Sequence, residues 1–302
     1  MSDLSVLYDA PGPRAKARNL VYSAVFLILL GLALWWVLDT MAGKNQLAAE
    51  KWSPFVTDSR VWTTYLIPGL LNTLKAAALA IAIALPLGAL LGIGRLSEHR
   101  WVSRPVGAVV EFFRAIPVLL MMVFANQAYA QFTDIESDVR PLYAVVTGLV
   151  LYNASVIAEI VRAGILSLPS GQTDAAKAIG MRKGQTMLYV LLPQAVTAML
   201  PALVSQLVVI VKDTALGGAV LGYAELLNQI RVITANYGAN TIAALTVVAL
   251  IFIVLNFLLT SFASWLEGRL RRGKRSTGAV LHGGADTEME FDEPHVEPHA
   301  RK

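Results

Sequence analysis

Between Leu20 and Leu38 the chain runs LVYSAVFLILLGLALWWVL, nineteen residues without a charge. The hydrocarbon core of a bilayer, roughly 30 Å thick, takes about 20 apolar residues of helix to cross. Five more apolar stretches follow, at about 66–94, 106–130, 142–165, 194–211 and 241–266. The pattern predicts six membrane spans. In lipid each backbone N–H and C=O needs a partner within the protein, so these spans are expected as helices. The composition agrees: of 302 residues, 56% are hydrophobic and 15% charged, against roughly a quarter charged in an ordinary soluble domain. A soluble enzyme of this size would lack the charge to cover its outside. Cysteine is absent, which excludes a disulfide scaffold, Cys-ligated metal and a thiol nucleophile.

The first stretch follows Arg14, Lys16 and Arg18, as a signal peptide would. Its apolar run is too long for one, and no A-x-A cleavage site follows, so it reads as an uncleaved span. Lys and Arg set the orientation. Sixteen of the 25 lie at the amino end, after span two (Arg95, Arg100, Arg104), after span four (Lys177, Arg182, Lys183) and in the carboxyl tail. The alternate loops hold five. The positive-inside rule places both termini in the cytoplasm. The net charge of +4 is then a topology signal, and no nucleic-acid partner is expected. The resulting regions are a cytoplasmic segment 1–19, an extra span 20–38, an extracytoplasmic loop 39–65 with Trp52 and Trp62, a transmembrane domain 66–266, and a cytoplasmic tail 267–302. The tail is poor in apolar residues and is expected to be disordered. Its His282, His295 and His299 suit a solvated tail better than a metal site.

Within lipid, helices associate through small residues. Ala80, Ala84, Gly88 and Gly92 recur every four residues along span two, and Pro86 is expected to kink it. Ionisable residues in spans are costly and mark function or pairing. Lys75 is able to snorkel. Arg114 lies deeper, three residues before Pro117. Glu159 and Arg162 share a helix face, either as a structural pair or beside a charged ligand or gate. No catalytic set is present: H-E-x-x-H and G-x-S-x-G are both missing, and so is the phosphate-cradling G-x-x-x-x-G-K-[ST].

The longest internal cytoplasmic loop, 166–193, reads as two short helices. Ser170 is the expected N-cap of the first, with Asp174 near its positive end and Gly180 just past its C-terminus. A second short helix is expected to lead to Pro193. Asp174-Ala175-Ala176, then Gly180, then Val190-Leu191-Leu192-Pro193 resembles the EAA signature of ABC-transporter permeases, with Asp for Glu and Val for Ile. The segments Gly69 to Leu74, Glu111-Phe112-Phe113-Arg114 with Pro117, Ala158 to Gly164, and Lys212-Asp213-Thr214-Ala215-Leu216 with Glu225-Leu226 beyond are similar to the polar amino-acid permeases of the histidine/glutamate/glutamine type. Ala215 stands where that family usually has Ser. The amino-terminal SVLYDAPGPRAKARN looks like glutamate-type permease subunits.

The resemblance implies an all-α type I (MetI-like) importer permease with a five-span core and one added amino-terminal span. It implies a separate ATPase dimer, which would carry ATP and Mg, docked on Asp174, Ala175, Ala176, Gly180 and Pro193. It further implies an extracytoplasmic solute-binding protein, a second permease subunit and an amino-acid substrate moving through the lipid-embedded path. Arg114, Glu159 and Arg162, followed by Lys212 and Asp213, are the candidates for that path or its gate. The competing reading is a stand-alone secondary transporter or channel. It would be expected to show inverted repeats, and it leaves the 166–193 loop without a role.

Overall fold

The structure, a computed structural model, describes residues 12–275. The first eleven residues and the stretch holding His282, His295 and His299 lie outside the described residues. Among the described residues every regular element is a helix.

Helix α1 (Pro13–Gly43) contains the first predicted span and extends it at both ends. None of its residues is buried. Two single-turn helices follow, α2 (Ala49–Trp52) and α3 (Pro54–Thr57). A widened turn, Val61–Leu66, then leads directly into α4 (Ile67–Arg95). Pro68 stands at the second position of α4. A proline ring clashes with the carbonyl four residues earlier in an α-helix. The i→i+5 bonding of Val61–Leu66 is the local adjustment that lets the helix pass. α4 continues through Pro86 as one helix.

The third predicted span is broken. α5 (Arg100–Ala115) and α6 (Val118–Phe132) meet at 98°. Ile116 is extended with ψ 129° and Pro117 has ψ 131°. The steric cause is the residue order, because a proline excludes the helical region for the residue before it. α7 (Arg140–Leu166) is the fourth span and α8 (Ser170–Ala178) the short helix after it. The loop's second short helix does not stand alone. α9 (Lys183–Gln185), a second widened turn at Thr186–Leu191 and α10 (Leu192–Leu221) form one helical run of 39 residues. Pro193 occupies the second position of α10, as Pro68 does in α4. The fifth span therefore begins earlier and ends later than its apolar run. α11 (Asn228–Asn236) and α12 (Thr241–Arg275) complete the chain. α12 carries helix past the predicted start of the tail at 267.

Packing follows the small residues. α4 and α7 lie against each other along their lengths. Ala80, Ala84, Gly88 and Gly92 are all buried on α4. A Cβ on Gly88 would stand 2.6 Å from Ile157 Cγ2, and one on Gly92 would stand 2.7 Å from the Ala158 carbonyl oxygen. Three core layers stack along the bundle. The first, near α8, holds Ile157, Val161, Leu191 and Met199. The middle one holds Met122, Leu149 and Ile210 from α6, α7 and α10. The far layer holds Phe55, Leu66, Leu226, Ile233 and Val248.

Candidate functional site

α8 is built as an exposed, sharply ended helix. Pro169 is its N-cap and Ser170 is its first helical residue, making no capping bond. The proline's fixed φ of −57° enters the helix without a side-chain acceptor. Asp174 falls in the second turn, beyond the first turn where the helix dipole favours a carboxylate. Its end matches the expectation. Gly180 has φ +81°, its N–H donates to the Lys177 carbonyl at 2.9 Å, and the Met181 N–H donates to the Ala176 carbonyl at 3.1 Å. This is a Schellman closure, in which a residue other than glycine would be strained. Ala176 faces inward, while Asp174, Ala175 and Gly180 are exposed and Ile179 is 79% exposed.

The segment is tied to the bundle at two points. Gln194 on α10 donates Nε2 to Gln172 Oε1 at 3.3 Å. Lys183 pairs with Glu98, in the α4–α5 loop, at 3.0 Å. That ammonium holds the Glu98 carboxyl below its ordinary range. Pro193 stands at the second position of α10, next to Gln194 in the chain.

The same end of the bundle gathers an ionic cluster. Glu159 of α7 is its centre. Its Oε1 accepts from Arg162 Nε at 2.7 Å, its Oε2 pairs with Arg114 of α5 at 3.5 Å, and Arg95 at the end of α4 bonds it directly. Arg95 also reaches Glu111 of α5 at 2.8 Å. Three helices are thereby joined by three guanidinium groups and two carboxylates. Arg114, Glu159 and Arg162, singled out from the sequence, meet here. From its loop position alone, Arg95 counts only as a topology charge. Its signal lay in the stripe, because Ala84, Gly88 and Gly92 project to the α7 side and Arg95, three residues on, continues that face.

Lys212 and Asp213 are not part of this cluster. Lys212 lines an apolar groove between α10 and α12 with Leu245, Phe252 and Asn256. Asp213 is partly buried on α10. A different polar link spans α7 and α10, where Gln206 donates to Asn153 Oδ1 at 2.6 Å.

The opposite end joins two further motifs. Glu225 is fully buried and accepts the backbone N–H groups of Leu227 at 2.9 Å and Asn228 at 2.8 Å. Thr73 of α4 donates its hydroxyl to the same carboxyl at 3.4 Å. Asn72 donates to the Ala224 carbonyl at 2.8 Å, and the Tyr223 hydroxyl donates to the Asn72 carbonyl at 2.9 Å. Burial pushes the Glu225 carboxyl up, against the pull of those donors. Burial, with Glu225 nearby, pushes the Tyr223 phenol up to about 12.

Residues 84–272 match the family described as binding-protein-dependent transport system inner membrane component. The glutamate transport system permease protein GluD of Corynebacterium glutamicum is 51% identical over 240 residues, 80% of this chain and 87% of that protein. The inner membrane amino-acid ABC transporter permease protein YhdY of Escherichia coli is 29% identical over 84% of this chain and 65% of its own length. Among solved structures, one described as an amino acid ABC transporter with histidines aligns with a TM-score of 0.62 at 29% identity. That alignment covers 69% of this chain and 95% of the other.

Proposed function

The chain belongs to the family of binding-protein-dependent transport system inner membrane components, and on that premise we propose that it forms the translocation path of an ATP-driven importer for polar amino acids, with glutamate as the substrate. It is a multi-pass membrane protein of the type I importer-permease fold. The observation that carries the coupling role is α8, whose Asp174, Ala175 and Gly180 are exposed at one end of the bundle. Small side chains let a partner surface approach closely, and the glycine closure ends the helix sharply beside the exposed Ile179.

In this reading α8 faces the cytoplasm and lies on a separate ATPase dimer that holds ATP and Mg, while this chain binds no cofactor. Closure of the ATPases moves α8. Gln172–Gln194 and Lys183–Glu98 pass the displacement to α10 and to the α4–α5 loop. The ionic cluster joins α5 to α4 and α7, so in this reading the movement is a rigid-body swing of α5 against those two helices around a path within the membrane. A solute-binding protein delivers the amino acid to the opposite end, and a second permease subunit completes the path. The described amino end and the end of α12 then lie on the cytoplasmic side, where the basic residues concentrate.

The test is reconstitution with a partner ATPase and a solute-binding protein from the same organism. Labelled glutamate should enter proteoliposomes only with ATP, Mg and the binding protein all present. Uptake that follows an ion gradient without ATP would overturn the assignment in favour of a secondary transporter.

A further inference from the structure

Beside the ionic cluster lies an open cavity of about 350 Å³ that the transport cycle described above does not use. It is lined by Arg95, Ser103, Arg104, Gly107, Glu111 and Arg162. Arg104, Gly107 and Glu111 sit three and four residues apart and share one face of α5. That face is set against the end of α4, through Arg95, and against α7, through Arg162. The volume lies at the small end of the range for metabolite sites.

Its charge is uneven. Three guanidinium groups face one carboxylate. Arg95 is committed to Glu159 and Glu111. Arg162 uses Nε on Glu159, which leaves its two terminal nitrogens to the cavity. Arg104 makes no ion pair among the described residues. Glu111 is 68% exposed and has a second carboxylate oxygen to offer. Ser103 donates to the His99 carbonyl at 3.3 Å, so its lone pairs remain. Gly107 forms the floor: a Cβ there would stand 3.8 Å from Arg95 Nε, in ordinary contact, and any longer side chain would project into the space.

Two guanidinium forks with free donors suit two carboxylates. A carboxylate between them suits an ammonium. We propose that this cavity binds a free acidic α-amino acid from the compartment that α8 faces, and that its occupancy slows the transport cycle. The ligand's carboxylates would bridge Arg104 on α5 to Arg162 on α7, while its ammonium meets Glu111. Bridged in this way, α5 is held on α4 and α7, and the swing of the bundle is resisted. Glu111 disfavours a phosphate headgroup that lacks an amine. The slowing rests on the importer reading above; the binding does not.

The test uses the complete permease–ATPase complex in neutral-lipid nanodiscs and in proteoliposomes. Labelled glutamate should bind the nanodisc complex without binding protein or nucleotide. Arg104→Gln should weaken that binding about tenfold, the loss of one charge-assisted contact. Gly107→Leu, which keeps every charge, should abolish it. Millimolar glutamate on the α8 side should slow ATP-driven uptake by the unaltered transporter and leave both variants unslowed. Equal binding and equal slowing in all three would overturn the proposal. So would displacement of the label by phosphatidylglycerol vesicles but not by unlabelled glutamate, which would make this a lipid site. Glutamate binding that depends on Arg104, in a complex that takes up no glutamate, would overturn the importer reading and leave the binding site standing.

Discussion

Gly31 and Gly88 sit within two comparably apolar helices, yet they live in opposite surroundings. Around Gly31 of α1 there is nothing within 4 Å, and no residue of that helix is buried. At Gly88 of α4 an added Cβ would meet Ile157 Cγ2 at 2.6 Å and the Ala154 carbonyl oxygen at 2.8 Å. Hydrophobicity does not separate the two helices, because lipid tails solvate leucine as well as a protein core does. What separates them is the outline of the side chains. α1 presents Phe26, Leu29, Trp35 and Trp36 outward, and none of its faces is small. α4 presents an unbroken stripe of alanine and glycine, and α7 lies in it. Helix association in lipid is selected by shape.

The largest effect should come from filling that stripe. Gly88→Leu forces Ile157 and the α7 backbone apart and should cost about 3 kcal/mol, an overpacking penalty at the upper end of its usual range. Loss of the folded, monodisperse species in detergent would register it. If Gly88→Leu melts like the unaltered protein, the α4–α7 contact does not carry the bundle. Next comes Glu225, at the far end of the same helix pair. Glu225→Ala leaves the Leu227 and Asn228 N–H groups unpaired in a buried place, which should lower stability by about 2 kcal/mol. Because burial raises the Glu225 carboxyl above its ordinary 4.5, its favourable contribution is complete below that value. It is lost as pH rises through the raised one. Glu225→Gln should therefore flatten the melting temperature against pH over that window, and an unchanged profile would show that the group does not titrate there.

Gly180→Asp sharpens the comparison from another side. Gly180, like Gly31, has nothing within 4 Å, but its φ is +81°. The substitution should cost only about 1 kcal/mol in strain and still abolish ATP-dependent uptake, with membrane insertion intact. Normal uptake in that variant would remove α8 as the docking element. The smallest effect belongs to Gly31→Leu, which should shift stability by less than about 0.5 kcal/mol. A larger shift would mean that α1 packs on something.

Much of this was legible in advance. The spans, the small-residue stripe and the glycine closure of α8 follow from the length of apolar runs, a spacing of four and one residue's conformational freedom. The rest depended on through-space neighbours. Arg95 and Glu159 are 64 residues apart, and Thr73 and Glu225 are 152 apart. Apolar counting also misplaced helix ends. For the fifth span it ends at Val211, whereas α10 runs past Lys212 and Asp213 to Leu221. The 98° break needed the joint reading of Ile116 and Pro117, since hydropathy alone is continuous across them.

The widened turn at Thr186–Leu191 sits between α9 and α10. One extra residue in a helical turn advances the face by about 100°. The anchor at Lys183 thus points roughly a quarter-turn away from where an unbroken α10 would aim it. Deleting one residue within 186–191 would restore the regular spiral. With α4, α7 and α10 held by their mutual packing, the segment just before the turn, from α8 to Lys183, would be re-aimed around the helix axis. The proline after the turn keeps that offset in place, so the direction in which α8 faces is written into a single surplus residue.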